Sequence, residues 1–440
     1  MAKKILFSPV GGTDPISMNN IYDGSLLHIC RYYKPDVVYL YMSKEVLENH
    51  NNDNRYIFCL DELSKMQNRK MEYRIIKREK LENVQRFDFI YNDMLDIIRD
   101  ISEKMDSDDI LYLNVSSGTP AMKSALLVIN VLGEYQFKSI QVATPIKKMN
   151  EHTHDGYDVK TLWELDEDNT NNYNRCEEID CPALVKQKKI EIIKKHIMEY
   201  DYEAALNVAM SIKDNDADYL KMIRLAKYRL ALDFKNADIA DREIDINFFP
   251  IKSGDERKYF EYMLSLMIKQ KKAQLADFLR AITPLILDLF SLILLNECKV
   301  DIYNFTYVDN KSKGIKWDKV KLMKSRPDIN NILLSKYSNF KYSYILSDHL
   351  KTILVALVPN NIKLIELSEK IRNVEESIRN IAAHQIVSID EEFIKNKTGF
   401  NSIEIVNMLK NAFKYTKINI KKEYWDSYEK MNDEIIRELG

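Results

Sequence analysis

Cysteine is sparse in this chain and forms no close pair. The five in 440 residues, Cys30, Cys59, Cys176, Cys181 and Cys298, include no C-x-x-C. A disulfide scaffold and a zinc ribbon are both excluded on that ground. Cys176 and Cys181 would be half a zinc site at most, with no second Cys/His pair suitably placed, so ordinary reduced thiols are expected. An excess of charge of one sign is missing too: 65 basic against 67 acidic residues leave a net charge of −2. Without a global basic field, any grip on nucleic acid must come from a local patch. Long apolar runs are absent. The oiliest stretch, Ala281 to Leu295, is interrupted by Pro284 and Asp288 and is too short to span a bilayer. Met1 to Phe7 enters a strand-like segment with no signal-peptide core. A soluble, cytoplasmic protein with no membrane partner is expected. Neither G-x-x-x-x-G-K-[ST] nor G-x-G-x-x-G occurs, which argues against a Walker loop and against dinucleotide redox chemistry. No regular repeat period is found, so a helical bundle is expected over a solenoid.

What is present divides the chain by period. Short apolar runs at Ile5–Val10, Asp36–Tyr41, Tyr73–Ile76, Ile110–Val115 and Ser139–Ala143 alternate with helix-like segments, notably Asn92–Met105 and Pro120–Leu132. This alternation predicts a mostly parallel sheet covered on both faces. Asp155-Gly156 before Tyr157–Leu165 reads as a hairpin extending that sheet, and the polar run Asp166–Asn174 as a solvated connector. Beyond Pro182 the pattern is helical, with long amphipathic segments at Arg257–Lys271, Ala273–Cys298 and Ile362–Gln385 and a break at Asp309–Gly314. The expected architecture is an α/β Rossmann-like domain over residues 1–172, a helical linker domain over 173–272 and an all-α domain over 273–440.

Two constellations carry chemistry. Gly11-Gly12-Thr13-Asp14-Pro15 follows the first strand, and Asn114-Val115-Ser116-Ser117-Gly118-Thr119-Pro120 follows the fourth, leading into a helix with Met122 and Lys123 in its first turn. Glycines admit a ligand close to the backbone, and amides at a helix start hold phosphate. The first loop alone reads equally well as a tight turn. If strands one and four are neighbours, both loops meet at the carboxyl edge of the sheet, where such folds bind nucleotides. The second constellation is Arg379-Asn380-Ile381-Ala382-Ala383-His384. R-x4-H arises by chance about 0.3 times in a chain of this composition, so the setting matters more than the spacing. Leu364, Leu367, Ile371, Val374, Ile378 and Ile381 form an apolar helical stripe, with Arg372 and Arg379 on its flank and Glu376 and Glu375 placed to orient them. His152 and His154 lack a third metal ligand, and His28, His196 and His349 have no partner pattern; all five read as structural.

The joint pattern resembles the CARF–HEPN endoribonucleases of type III-A CRISPR systems, the Csm-type ancillary nucleases, over essentially the whole chain. Many relatives carry paired glycines where this chain has Ser116-Ser117-Gly118. The resemblance implies a cytoplasmic homodimer serving antiviral defence. A cyclic oligoadenylate made by the CRISPR effector complex would act as allosteric activator, hexa-adenylate favoured over tetra-adenylate. It would bind Gly11, Gly12, Thr13, Asp14, Asn114, Ser116, Ser117, Gly118, Thr119 and Met122. Arg379, Asn380 and His384 would cut single-stranded RNA at a composite site, with no metal or other cofactor, leaving 2′,3′-cyclic phosphate ends. The N-terminal domain could slowly cleave its own activator. Two other readings stay open: a nucleotide-responsive binding module without nuclease activity, and a constitutive HEPN toxin.

Overall fold

The structure, a computed structural model, describes residues 2–133, 137–145, 156–171, 173–212, 217–244, 246–382 and 388–440, with backbone only for 379–382. It divides into two compact units, Met1–Lys188 and Lys189–Gly440.

The first unit is built on six strands: β1 (Lys4–Pro9), β2 (Val37–Ser43), β3 (Glu72–Arg78), β4 (Ile110–Asn114), β5 (Phe137–Val142) and β6 (Cys176–Ile179). Their order is β3-β2-β1-β4-β5-β6. The first five run parallel and β6 pairs antiparallel to β5. Alternate side chains face opposite ways along a strand. Ile5 and Phe7 therefore enter one core with Ile98, Leu113 and Leu126, while Leu6 enters the other with Leu26, Val38 and Leu40. Both faces are covered, which is why these strands read as continuous apolar runs.

One expectation fails here and a second holds only in part. Residues 159–165 form a helix and no hairpin strand. The Asp158 carboxylate caps it by accepting from the amides of Lys160 and Thr161, and Val159, Leu162 and Trp163 follow helical spacing. The run expected as a solvated connector is so only in part: Thr170, Asn171, Tyr173 and Asn174 are exposed, but Glu167–Asn169 is a short 3-10 helix, and Asp166 and Asp168 are buried. β6 lies beyond residue 172, so the sheet continues past the point where the sequence pattern ended it.

The second unit is helical, with one small exception. β7 (Thr306–Val308) and β8 (Ile315–Trp317) make a hairpin around the expected break, turned by Asp309, which accepts from the amide and hydroxyl of Ser312. The central helix, Leu275–Cys298, runs for 24 residues. Length alone therefore does not bar it from crossing a bilayer, contrary to the sequence reading. Its apolar character has a local explanation: Phe278, Ile282, Leu285, Leu289 and Ile293 are buried in the core of this unit. Helix Ile362–Ala382 packs against it and against Ser402–Phe413.

Candidate ligand loops and nuclease helix

β1 and β4 are adjacent and parallel, with Phe7 opposite Leu113, so the loops after them leave the same edge of the sheet. They are in contact. A methyl group built on Gly11 would stand 2.9 Å from the Gly118 nitrogen, closer than a real Cβ comes, so the first loop needs glycine there. Gly118 has φ +81°, the left-handed region that glycine enters without strain. Asp14 joins the loops: its carboxylate accepts from the amides of Gly11 and Leu26, both at 3.1 Å, and from the Ser117 hydroxyl. Burial pushes the Asp14 carboxyl above its ordinary pKa, and those three hydrogen bonds pull the other way.

Asn114 sits fully buried at the end of β4. Its amide group donates to Ser8 Oγ (2.9 Å) and Ser25 Oγ (3.1 Å), and its Oδ1 accepts from the Ser116 amide (3.0 Å). Ser116 Oγ accepts from Val142 N at 2.7 Å, tying the second loop to the end of β5. Thr119 caps helix Pro120–Leu132 and donates to the Val84 carbonyl at 2.8 Å. The ten loop residues thus fall into two groups. Asp14, Asn114, Ser117 and Met122 are buried and shape the loops from within. Gly12 is exposed, and Gly11, Thr13, Ser116, Gly118 and Thr119 are half-buried, so these six can be reached from solvent.

Behind the first loop lies a buried cluster that sequence reasoning missed. Arg31 grips Asp23 with two nitrogens (2.6 and 2.9 Å) and reaches Asp166 at 3.4 Å. Arg175 holds Asp168 at 2.6 Å and donates to the Asp23 carbonyl at 3.1 Å. The backbone amide of Arg175 donates to His28 Nε2 (3.0 Å), and His28 Nδ1 lies 3.1 Å from Arg175 Nη2 and 3.3 Å from Asp23 Oδ2. Asp23, His28 and Asp168 come close enough together to hold a metal ion. Arg31 and Arg175 already bring positive charge to those carboxylates, so the group reads as an internal brace. Burial and the neighbouring Asp23 push the Asp166 carboxyl up to about 9. Asp23 is held below its ordinary value: burial opposes ionisation, but Arg31 and His28 outweigh it. The brace fastens 166–175 onto the 16–24 segment, where Glu167 N also donates to the Ile21 carbonyl and Tyr157 Oη bonds both backbone groups of Ile16.

In the second unit, Arg379 and Asn380 lie on helix Ile362–Ala382, and His384 falls outside the described residues. Leu364, Ile371, Val374 and Ile378 are buried, as the apolar stripe predicts. Arg372 meets Glu376 only at 3.9 Å. Its nearer partners are Asp348 (3.3 Å), from the helix Ser347–Leu357, and Glu375 (3.6 Å). Tyr337 donates to Asp348 at 2.5 Å, and the Ser347 hydroxyl donates to the buried Glu375 carboxylate. Glu375 is thus anchored one turn before Arg379. His349 is structural, as expected: it faces Trp317 Nε1 at 3.2 Å, and burial lowers its pKa.

Known proteins resemble this arrangement along the whole chain. The Cas_Csm6 CARF domain model matches residues 72–176, the CRISPR-associated protein Csm6 6H domain model 179–230, and the Cas_Csm6 HEPN domain model 248–436. The CRISPR system endoribonuclease Csm6 of Mycobacterium tuberculosis (strain ATCC 25618 / H37Rv) is 30% identical over 442 residues, covering 99% of this chain and 98% of that one. The chain belongs to the Csm6 family of CRISPR endoribonucleases. A Csm6 of Streptococcus thermophilus is 25% identical, covering 99% of this chain and all of its own length. Among solved structures, Enterococcus italicus Csm6 bound to cyclic hexa-2′-fluoro-hexa-dAMP shares the fold, with a TM-score of 0.68 at 19% identity over 99% of this chain. The CARF model begins at Glu72, the first residue of β3, yet β1, β2 and the Gly11–Asp14 loop belong to the same sheet. As a Csm6-family protein, the chain is an RNA endonuclease with an N-terminal CARF domain and a C-terminal HEPN domain.

Proposed function

We propose that this endoribonuclease is switched on by a cyclic oligoadenylate held in the Gly11–Asp14 and Asn114–Met122 loops of a homodimer. The observation carrying this reading is the clasp of the two loops at neighbouring parallel strands, with five half-buried residues and the exposed Gly12 facing outward around it. Backbone amides and hydroxyls there suit phosphodiester oxygens, and helix Pro120–Leu132 adds the positive end of its dipole. A cyclic ligand with rotational symmetry suits a two-fold pair of such loops. Hexa-adenylate is favoured over tetra-adenylate, in keeping with the cyclic hexanucleotide analogue named with the Enterococcus italicus Csm6 structure.

RNA cleavage is assigned to Arg379, Asn380 and His384 without metal. A ribose 2′-hydroxyl attacks the adjacent phosphorus as its proton passes to a histidine, and the 5′-oxygen leaves with a proton from a second acid. The products carry 2′,3′-cyclic phosphate and 5′-hydroxyl ends. Histidine suits both proton transfers near neutral pH, and the Arg379 guanidinium suits the phosphate charge. One chain brings one such histidine and a two-fold pair brings two, which favours a composite site. Activation then requires the ligand to prefer one dimer arrangement over another. Slow cleavage of the activator itself, with Thr13, Asn114 and Ser116 around a ribose, fits the same loops.

The test is a reporter-RNA assay with cyclic hexa- or tetra-adenylate, each with and without EDTA. Activation by the hexamer, insensitive to EDTA, is the expected result. Full activity without any oligoadenylate overturns the activator, and inhibition by EDTA overturns the metal-free chemistry.

A further inference from the structure

Some lysines on this protein's surface are neutralised locally. Lys44, Lys65, Lys104, Lys138, Lys221 and Lys227 each hold a carboxylate within salt-bridge distance. One stretch of the second unit is distinguished by an excess of lysine over acid. Between Asn407 and Trp425 stand Lys410, Lys414, Lys417, Lys421 and Lys422, against the single acid Glu423. Among the described residues, none of these five lysines makes an ion pair. In a chain whose net charge is −2, this is a local concentration of unneutralised positive charge.

Three of these lysines also share a cavity. Lys410 and Lys414 project from the last turn of helix Ser402–Phe413 and the residue after it, and Lys422 comes from the segment that follows. With Asn407, Asn411 and Trp425 they line a groove of about 640 Å³, a size that admits a nucleotide. Trp425 fixes the floor: its ring meets Phe260 and Phe413 edge-on, and Lys410 Nζ lies over it at 4.9 Å. Burial pulls the Lys410 ammonium below its ordinary value, as does the charge of Lys271, while Asp426 and Glu429 pull it back up. Lys410 is thus a half-buried cation held over an aromatic ring and in no ion pair among the described residues. The spacing of Lys410 and Lys414, one helical turn or about 5–6 Å between their Cβ atoms, is close to that of successive phosphates on a single strand.

We propose that this lysine groove binds the phosphodiester backbone of single-stranded RNA, as a docking site separate from the helix that carries Arg379. It has amides and one aromatic wall but no array of base-reading groups, so it should grip RNA with little sequence preference. Its role is to hold substrate beside the nuclease helix, raising affinity while leaving the chemical step unchanged.

The test uses the full-length protein and a fluorescently labelled, 2′-O-methyl single-stranded RNA, so that binding is read without cleavage. A failure of the proposed nuclease chemistry therefore leaves this test intact. Lys410→Ala, Lys414→Ala and Lys422→Ala combined should weaken binding by at least about tenfold at low salt. The slope of log affinity against log salt should flatten by about 2, since each phosphate neutralised on a single strand contributes roughly 0.7. The combined lysine-to-arginine variant should keep both affinity and slope, which separates lost charge from lost folding. On cleavable RNA, the alanine variant should raise KM and spare kcat. Unchanged affinity and slope in the alanine variant overturn the proposal, as does equal loss in the arginine variant. A matching loss of cyclic oligoadenylate affinity would assign the groove to the activator and overturn it as well.

Discussion

Removing the Ser117 hydroxyl tests whether the two ligand loops are held together as the geometry states. Asp14 is only 2% exposed and has three donors: two backbone amides and Ser117. Ser117→Ala leaves the carboxylate with the amides alone. A hydrogen bond to an ionised buried group contributes about 1.5–3 kcal/mol, so local opening of the loop should become roughly 10 to 150 times more frequent. The pH dependence has a definite sign. Burial already raises the Asp14 pKa and the Ser117 bond lowers it, so the variant raises it further. The folded carboxyl then takes up a proton at higher pH than the unfolded one, and stability falls as pH rises through that window. The penalty of Ser117→Ala should therefore be larger at pH values above the raised Asp14 pKa than in the ordinary carboxyl range below it. Hydrogen exchange of amides 10–26, as the ratio of variant to wild type at each pH, reads this locally, which suits a two-unit chain whose global unfolding need not be two-state. A double-mutant cycle with Asp14→Asn completes the test. Additivity within about 0.5 kcal/mol would refute a direct link between the loops.

Three further outcomes are expected. Gly118→Val forces a branched residue to φ +81° and against Met122 Sδ, 2.8 Å from the new Cβ position; at about 1–2 kcal/mol for the backbone alone, calorimetry should show cyclic oligoadenylate affinity falling on the order of tenfold or more, and unchanged affinity would move the site elsewhere. His384→Ala and Arg379→Ala should each abolish RNA cleavage yet leave oligoadenylate affinity within about twofold, and near-wild-type turnover in either would remove that residue from the chemistry. Asp166→Asn mimics the carboxyl that the folded state keeps protonated up to about 9. Wild-type stability falls as pH rises from the ordinary carboxyl range through that value, so the variant's thermal midpoint should gain on wild type with rising pH, and parallel curves would show that the group does not hold its proton.

The legible parts of this molecule carry their signal locally. Helix Pro120–Leu132 matches its expected bounds because Thr119 caps it, Pro120 suits its first position and Gly133 follows its end. The adjacency of β1 and β4, on which the candidate ligand site depends, entered the sequence reading only as a condition, and the parallel pairing of the two strands supplies it. The illegible parts depend on distant partners. Asp166 and Asp168 look like loop residues, and their burial depends on Arg31, 135 positions away from Asp166, on the Asp23 amide that donates to Asp168, and on Arg175, which nothing in the local pattern marks as a partner. The Asp-Gly before Tyr157 suggested a hairpin, whereas the Asp158 cap and the spacing of Val159, Leu162 and Trp163 decided for a helix. The Glu376 expected beside Arg372 is within reach, but Asp348 from another helix stands closer, and no spacing rule within one helix could name it.

The last helix of the second unit, Ser427–Leu439, closes on its first ones. Tyr202 donates to Asn432 across 230 positions, and Asn432 donates to the Ile197 carbonyl. Arg229, wholly buried and gripping Glu261, also reaches Ser427. During synthesis, helices 182–198, 202–210 and 218–230 therefore wait for a partner made about two hundred residues later, at roughly 5–20 residues per second. Until it emerges, a guanidinium and several hydroxyls destined for the interior lack part of their hydrogen bonding. The helix at 362–382 is complete well before that, but the bundle that seats it is not.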